Sequence, residues 1–307
     1  MASILITGGT GMIGSAITKA LLQKGHSVMV LTRKAKAPKG GIVYKEWDIE
    51  KGTIDKTAIA EADYIFHLAG ANVADGRWTK KRKQEIVDSR VNSGQLLVKS
   101  LKEITNNVKA VVSASAIGWY GPDPVIPNPK PFTETDAADD AFLGKTCQQW
   151  EGAIWPVADI GKRLVIYRIG IVLSNEGGAY AEFKKPLKFG VAAVLGSGKQ
   201  IVSWVHIDDL VRLFIKAMED GNMQGVYNAV APHPVSNKEL IMAIAKSRNK
   251  FFIPAPVPSV ALKIALGEMS IEVLKSATVS SRKVEEAGFR FLHPTITNAV
   301  NNLEKKG

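Results

Sequence analysis

Residues 7–14 read Thr7-Gly8-Gly9-Thr10-Gly11-Met12-Ile13-Gly14, and no other part of the chain says as much about its architecture. The stretch contains two overlapping patterns, Gly9-x-Gly11-x-x-Gly14 and Gly8-x-x-Gly11-x-x-Gly14. Such glycines permit a tight turn, a close backbone approach to a ligand and close packing of the next helix. Because amides at the start of a helix attract anions, the stretch predicts a turn that binds a pyrophosphate.

The sequence on either side of this turn has the pattern of a β-α-β unit. An apolar run over 4–7 precedes it, and Ile13, Ile17 and Leu21 follow at helical spacing until Gly25. A second apolar run covers 28–32. The turn is therefore predicted to join the first strand to the first helix.

Strands and helices continue to alternate beyond this unit. Further strands are predicted over 42–47, 64–68, 110–114 and 164–169, and helices over 80–102, 139–157 and 209–218. This alternation predicts an α/β fold, a Rossmann-type doubly wound parallel sheet with both faces covered.

The alternation of strands and helices ends near residue 225, after which prolines interrupt short helical segments. We expect a dinucleotide-binding Rossmann domain over 1–225, with substrate-side insertions at about 171–204, and a small mixed C-terminal lobe over 226–307. Within the insertions, the glycine-rich stretch 177–198 is a candidate flap over substrate.

Composition excludes several classes of protein. The 307 residues include 46% hydrophobic residues, which is typical of a globular chain, and Cys147 is the single cysteine. An intrachain disulfide is impossible, and a reducing compartment, the cytoplasm, is favoured. The sequence shows neither a signal peptide nor an uncharged apolar run of about 18 residues, so no membrane span is expected.

The charge balance is basic, with 40 Lys and Arg against 29 Asp and Glu, a formal net charge of +11. Alone, this excess fits nucleic acid, an anionic membrane or an anionic small molecule. Many of the cations follow predicted strands, where loops of a doubly wound sheet converge on a cofactor. We therefore expect a small-molecule partner, without nucleic acid or membrane, in a monomer or a homodimer.

The end of the second strand distinguishes NADP from NAD. An NAD site usually has an Asp or Glu there to bind the ribose 2′-hydroxyl, but this chain has Leu31-Thr32-Arg33-Lys34. A hydroxyl and two cations suit a 2′-phosphate. NADP(H) is therefore predicted in preference to NAD, the alternative being that Arg33 and Lys34 form a solvated loop.

Three further stretches carry a family resemblance: Phe66-His67-Leu68-Ala69-Gly70, Ser113-Ala114-Ser115-Ala116-Ile117-Gly118-Trp119-Tyr120-Gly121 and Val165-Ile166-Tyr167-Arg168-Ile169-Gly170. With the glycine turn, they resemble the extended short-chain dehydrogenase/reductase superfamily. More narrowly, the whole chain resembles the NAD-dependent epimerase/dehydratase-like proteins of the 39U type, which some bacterial descriptions call cell-division inhibitors. The narrower likeness rests on pieces such as Arg77-Trp78, Trp150-Glu151 and Trp204-Val205-His206.

The resemblance implies a set of cofactor contacts. It places the pyrophosphate against the glycine turn, the 2′-phosphate after the second strand, and the ribose beside the loop after the fourth. The residues concerned are Gly8, Thr10, Gly11, Met12 and Ile13 for the pyrophosphate, Thr32 and Arg33 for the 2′-phosphate, and Leu68, Ala69 and Gly70 for the ribose. It also implies that Asp48 reaches the adenine and that Glu85 and Arg90 approach the cofactor from the next helix.

The same resemblance raises a question about catalysis. The superfamily usually depends on a serine and a Tyr-x-x-x-Lys pair, in which the tyrosine is the acid/base. Ser115 occupies the serine position, and counting from Gly121 puts Ala141 at the tyrosine position and Lys145 at the lysine position. An alanine has no proton to give, so the usual dyad is absent. Tyr120 is the nearest other phenol, with a packing role as the alternative.

Trp204 and His206 are candidates for the substrate side. A histidine at a strand end can donate to a substrate, although Asp208 or Asp209 capping the next helix beside a structural His206 is the more ordinary interpretation. The five histidines and one cysteine have no metal-ligand spacing, so no metal is predicted.

Two functional hypotheses follow from these residues. One is an NADP(H)-dependent oxidoreductase or epimerase acting on a small carbonyl or sugar-like substrate, with Ser115 polarising an oxygen and Tyr120, His206 or water supplying the proton. The other is a catalytically silent NADP(H)-binding protein that reports cofactor state to a partner. The sequence leaves the substrate, the reaction and the oligomeric state open.

Overall fold

The structure is a computed structural model that describes residues 1–34 and 36–306. Its strands are β1 Ser3–Thr7, β2 Ser27–Thr32, β3 Ile42–Asp48, β4 Thr53–Ile54, β5 Tyr64–His67, β6 Ala110–Ala116, β7 Arg163–Ile169, β8 Ile171–Leu173, β9 Val191–Leu195, β10 Ile201–Val202, β11 Trp204–His206, β12 Gly225–Ala229, β13 Val235–Ser236 and β14 Ile253–Val257. Its α-helices are α1 Met12–Gln23, α2 Lys56–Ala60, α3 Lys80–Glu103, α4 Phe142–Ile154, α5 Pro156–Asp159, α6 Gly178–Leu187, α7 Ile207–Glu219, α8 Asn237–Ser247, α9 Ser259–Leu266, α10 Ser270–Leu274, α11 Arg282–Glu286 and α12 Ile296–Lys306.

The main sheet has the strand order β12-β7-β6-β5-β1-β2-β3-β4. Its neighbours pair in parallel, except that the short β4 runs antiparallel to β3. The strand order reverses on either side of β1, as in a Rossmann fold, so a crevice forms beyond the carboxyl ends of the central strands. The predicted doubly wound α/β fold is confirmed.

Helices cover both faces of this sheet because alternate strand residues point to opposite sides. Ile4 and Ile6 of β1 lie in the same apolar cluster as residues of α1 and α7. Leu5, between them, lies in the cluster that contains residues of α2 and α3. All three β1 side chains are fully buried, and each such burial stabilises the fold by about 1.5–3 kcal/mol.

The predicted strands and helices of the Rossmann part occur close to their expected positions, with one exception. The helix predicted over 139–157 is two helices, α4 and α5. The first begins at Phe142, and the amide of Asp139, before it, donates to the carbonyl oxygen of Trp119 at 2.7 Å. This helix ends near Trp155 because Pro156 has no amide hydrogen to continue the helical bonds.

The C-terminal lobe is built jointly by the predicted insertion and the last third of the chain. The predicted boundary at 225 falls on the first residue of β12, which belongs to the main sheet. Beyond it, β9 of the insertion pairs with β14, and β10 with β13. The stretch considered as a flap, 177–198, contains α6 and β9, and its buried residues share a core with α8 and α12. Among the described residues, no helix combines the length and apolarity needed to span a membrane.

A buried carboxylate ties the last segment of the chain to the Rossmann part. Asp209, in the first turn of α7, is fully buried. Its two oxygens accept hydrogen bonds from the amides of Leu292 and His293 at 2.7 and 2.9 Å, and Oδ1 also contacts Arg212 Nη1 at 3.0 Å. The carboxylate thus fixes the chain just before α12.

Replacing this carboxylate by an amide tests how much it contributes to the stability of the fold. In Asp209→Asn, one oxygen becomes a donor that faces a backbone amide, so we expect a loss of about 1.5–3 kcal/mol in the free energy of unfolding. Urea denaturation measures it. Glu219→Gln, on the same helix in an exposed pair with Lys24, should cost under about 1 kcal/mol. Equal losses of stability in the two variants would contradict the structural role of the Asp209 carboxylate.

Candidate functional site

The glycine turn packs directly against the loop that follows β5. Gly8 has φ of 68°, and a Cβ atom there would lie 2.7 Å from the carbonyl oxygen of Leu68. A Cβ atom on Gly14 would lie 2.3 Å from the carbonyl oxygen of Gly8. Neither space admits a side chain, so both glycines are required for the two loops and α1 to meet.

The start of α1 has the features of an anion-binding site. Gly11 is its N-cap residue and supplies no side-chain cap, and its first turn has no acidic residue. Thr10 and Gly11 are exposed at this end. Unbonded amides and the positive end of the helix dipole together favour a phosphate group here, as the sequence predicts.

Thr7 holds the two crevice loops together, a role that sequence reasoning missed. Its Oγ1 accepts hydrogen bonds from the amides of Leu68 and Ala69 at 3.0 and 3.1 Å. The same oxygen lies 2.9 Å from Nδ1 of His67, which is fully buried. A hydroxyl residue ending an otherwise apolar strand is the sequence signal that was available for this clamp.

Two free cations follow β2. Arg33 and Lys34 are exposed, and within the described part of the chain neither forms an ion pair. Thr32 is buried, and its hydroxyl donates to the carbonyl oxygen of Lys34 at 2.7 Å, which shapes the turn. The strand therefore ends in two solvated positive charges at the crevice edge, where the sequence predicts a 2′-phosphate.

Asp48 and Glu85, the acids that the resemblance places near the cofactor, have local partners. Asp48 Oδ1 accepts from the amides of Glu50 and Lys51, both at 3.0 Å, and these backbone bonds lower the pKa of Asp48. Glu85 is exposed and pairs with Arg82 at 2.8 Å. Their cofactor contacts stay predictions.

Arg90 supports the ribose loop from behind. It is buried, and its Nη1 donates to the carbonyl oxygens of Ala71 and Ile86 at 3.0 and 2.9 Å. A Cβ atom on Gly70 would lie 3.1 Å from the guanidinium carbon. Burial lowers the pKa of Arg90 to about 10, so it stays charged at neutral pH. The cation adds to the positive field at this loop.

Ser115 belongs to a buried ionic network. Its Oγ donates to Glu151 Oε1 at 2.7 Å. The same carboxylate receives two bonds from Arg168, at 2.8 Å from Nε and 2.9 Å from Nη2. All three residues are nearly inaccessible to solvent. Sequence reasoning assigned no role to Glu151 or Arg168, although an arginine inside the apolar run of β7 indicates a buried partner.

Tyr120 lies at the other end of this network. Its hydroxyl donates to Asn228 Oδ1 at 2.7 Å and accepts from Arg168 Nη1 at 3.1 Å. The side chain is fully buried, and burial raises its pKa to about 12. The packing interpretation of Tyr120 is therefore supported, and the phenol is poorly placed to exchange protons at neutral pH.

The face of α4 that meets the serine strand differs from the predicted one. A Cβ atom on Gly118 would lie 3.2 Å from Leu143 Cβ and 3.7 Å from Cys147 Sγ. Glu151, four residues further, bonds Ser115. Lys145 is exposed instead. Leu143 and Cys147, four residues apart, thus face the turn at the end of the serine strand, whereas Ala141 and Lys145 are exposed; a catalytic role of Lys145 stays a prediction.

Neither member of this pair replaces the missing tyrosine. Leu143 has no titratable group. Burial, and secondarily the charge of Glu151, raises the pKa of the Cys147 thiol to about 12. The arrangement can hold a cofactor and orient a small molecule, but a proton must come from solvent or from the substrate itself.

Trp204 and His206 lie inside the protein rather than at a substrate surface. Trp204 is fully buried and donates from Nε1 to the carbonyl oxygen of His233 at 3.1 Å. His206 is itself the N-cap of α7: its Nδ1 accepts from the amide of Asp208 at 3.0 Å. The expected cap by Asp208 or Asp209 is therefore wrong, and so is the substrate-side placement of Trp204.

The same N-cap joins a small cluster of possible metal ligands. His206, Asp208 and His293 each offer one ligand atom, and these lie within 4.8 Å of one another. The two rings are tilted by 40° with centroids 3.9 Å apart, which is too close for two imidazoles that point at one ion with ordinary bond lengths and angles. The cluster therefore acts as a helix cap and a ring contact.

The buried histidine beside the crevice gives the fold a pH dependence. Burial lowers the pKa of His67 to about 4 from its usual 6.5. The unfolded chain therefore binds the extra proton first as pH falls. The contribution of neutral, buried His67 to the free energy of unfolding is complete above about pH 6.5 and is lost towards pH 4, a change of about 3 kcal/mol.

Unfolding of His67→Gln in urea between pH 7 and about pH 4 tests this assignment. We expect the stability of the variant to fall less steeply than that of the wild type. His233→Gln, an exposed control, should keep the wild-type slope. Identical slopes in all three proteins would show that His67 does not control this pH dependence.

Comparisons with known proteins agree with this geometry. Residues 4–142 match the family described as NAD dependent epimerase/dehydratase family, and residues 257–303 match a domain of unknown function, DUF1731. An epimerase family protein of Mycobacterium bovis is 35% identical over 304 residues, covering 97% of this chain and 96% of that protein. The epimerase family protein YfhF of Bacillus subtilis is 33% identical, covering 98% and 97%.

Solved structures show the same likeness. The human epimerase family protein SDR39U1, solved with NADPH, has a TM-score of 0.88 and 28% identity, covering 99% of this chain and all of that one. A nucleoside-diphosphate sugar epimerase of Corynebacterium glutamicum has a TM-score of 0.76 and 30% identity, covering 98% of this chain and 58% of that one. The resemblance seen in the sequence is confirmed: this chain belongs to the NAD-dependent epimerase/dehydratase family of short-chain dehydrogenase/reductase-like proteins.

Proposed function

We propose that the protein binds NADP(H) and acts as an oxidoreductase or epimerase on a small carbonyl or sugar-like substrate. The observation that carries the cofactor preference is the pair of exposed cations Arg33 and Lys34 after β2, which form no ion pair among the described residues. A 2′-phosphate at this edge would neutralise charge that NAD leaves solvated. The NADPH of the human relative supports the same preference.

The residues of the crevice fit the rest of the dinucleotide. The amides of Met12 and Ile13, at the uncapped start of α1, suit the pyrophosphate. Leu68, Ala69 and Gly70, whose backbone Thr7 fixes, suit the ribose side. Arg90 keeps that loop in place and contributes positive charge. When bound, the nicotinamide would supply or accept a hydride.

Few side chains of the protein are placed to transfer the proton in such a reaction. Ser115 can orient a substrate oxygen only if its hydroxyl leaves the carboxylate of Glu151 or accepts through a lone pair. Tyr120 is held by two hydrogen bonds, and Lys145 is exposed away from this serine. We therefore expect water or a substrate group to exchange the proton.

A second candidate function rests on the pair that faces the serine strand. Leu143 and Cys147 have no proton to exchange at neutral pH, since burial raises the pKa of the thiol to about 12. This favours a catalytically silent protein that binds NADP(H) and reports its redox state to a partner. Both candidates use the same cofactor site and differ only in hydride transfer.

Cofactor selectivity is the most direct test of the site. Arg33→Ala should weaken NADPH binding by about 1.5–3 kcal/mol, the range of hydrogen bonds to charged groups, and leave NADH nearly unchanged. Fluorescence titration with both cofactors measures the difference. Lys36→Ala, a nearby exposed cation, is the control and should change both affinities little. Equal losses for NADPH and NADH in Arg33→Ala would contradict a 2′-phosphate contact.

Hydride transfer separates the two candidate functions. If the protein is an oxidoreductase, a panel of small aldehydes, ketones and sugar derivatives should reveal NADPH consumption that Ser115→Ala reduces by about tenfold or more. NADPH affinity of the variant should stay at the wild-type value, because Ser115 is placed on the substrate side. No NADPH consumption and no epimerised product across the panel, with intact NADPH binding, would support the silent protein instead.

A further inference from the structure

The C-terminal lobe exposes apolar side chains that a globular surface normally covers. After Met1, the most exposed large apolar residues of the described chain are Phe189, Phe251, Ile264 and Val260, at 86%, 82%, 69% and 67%. None of them belongs to the cofactor crevice described above. Exposure of this size concentrated on one lobe indicates an interaction surface.

The fold brings these residues onto connected elements. Phe189 and Phe251 immediately precede the paired strands β9 and β14, whose ends are joined by a 2.8 Å bond from the amide of Ile253 to the carbonyl oxygen of Gly190. Ile253 is exposed as well. Helix α9, with Val260 and Ile264, follows the opposite end of β14, and the carbonyl oxygen of Ile264 accepts a hydrogen bond from Arg77 in the loop after β5. We call Phe189, Phe251 and Ile253, at the amino ends of the two strands, the apolar surface.

The charge around the apolar surface has one sign. Between Leu240 and Gly267 the chain has Lys246, Arg248, Lys250 and Lys263 but no Asp or Glu. Lys188 precedes Phe189. The nearest acids already have partners, since Glu182 pairs with Lys185 at 2.7 Å and Glu268 with Lys83 at 2.8 Å. The occupant must therefore be apolar and negatively charged.

We propose that this surface docks on an anionic lipid bilayer, with Phe189 and Phe251 inserted between headgroups and the lysines at the phosphate level. Long lysine side chains can extend to the headgroups while their stems cover apolar area. A second copy of the chain fits less well, because a symmetric interface would place Lys188 and Lys250 against the same residues. The sequence alone predicted no membrane partner, since charge was counted there without exposure.

Co-sedimentation with vesicles tests this docking. The full chain should bind vesicles made of equal parts phosphatidylglycerol and phosphatidylcholine, and should bind phosphatidylcholine vesicles at least about tenfold more weakly. Added salt should release it. Failure to bind the anionic vesicles, or equal binding to both, would overturn the proposal.

Variants assign the binding to the apolar surface. The pair Phe189→Ser and Phe251→Ser should lower partitioning by about tenfold or more, and Lys188→Gln with Lys250→Gln by about tenfold or more. The controls are Leu292→Ser, an exposed apolar residue outside the surface, and Lys99→Gln with Lys102→Gln on α3; both should bind like the wild type. Circular dichroism and NADPH titration confirm that each variant folds and keeps its cofactor site.

Other occupants give different results. If a second copy covers the surface, sedimentation equilibrium would show a dimer that the Phe189→Ser and Phe251→Ser pair dissociates, and the lipid proposal would be wrong. If the Phe pair binds anionic vesicles like the wild type, the apolar surface is not the docking site. NADPH affinity is measured separately, so either result leaves the proposed cofactor function untouched.

Discussion

The contact between two backbone loops sets the geometry on which the crevice depends. Gly8 approaches the carbonyl of Leu68 so closely that no Cβ atom fits, and Gly14 approaches Gly8 in the same way. Thr7 locks this contact by accepting hydrogen bonds from the amides of Leu68 and Ala69. Because the start of α1 and the loop after β5 are fixed relative to each other, a dinucleotide in this crevice would be bound with little reorganisation.

The buried network from Ser115 to Asn228 limits the groups that could take part in catalysis. Glu151 and Arg168 form a two-bond ion pair that would be costly to bury without its partners, and Ser115, Tyr120 and Asn228 complete its hydrogen bonds. The groups that resemble a catalytic serine and phenol are thus occupied in holding β6, β7 and β12 together. The glycine turn and the basic end of β2 keep the features expected of a dinucleotide site, whereas the serine and the phenol are held in structural contacts.

The sequence predicted those features of the fold that depend on residues close together in the chain. The glycine turn, the strand and helix alternation and the basic end of β2 each depend on neighbouring residues, and the doubly wound sheet followed from them. Residues whose roles depend on distant partners were missed, as Glu151 and Arg168 show. Residue counting placed Lys145 at the serine strand, whereas in the fold it lies on the exposed face of α4. His206 was not expected to cap α7, because its Nδ1 replaces the aspartate oxygen usual at that position.

The central claim is that NADP(H) lies in this crevice with its 2′-phosphate at the end of β2. The crystal structure of the protein grown with NADP⁺ tests it most directly. We predict pyrophosphate density at the amides of Met12 and Ile13, with the 2′-phosphate within hydrogen-bond distance of Arg33 or Lys34. A 2′-phosphate directed away from both side chains, or a dinucleotide bound elsewhere, would contradict the account.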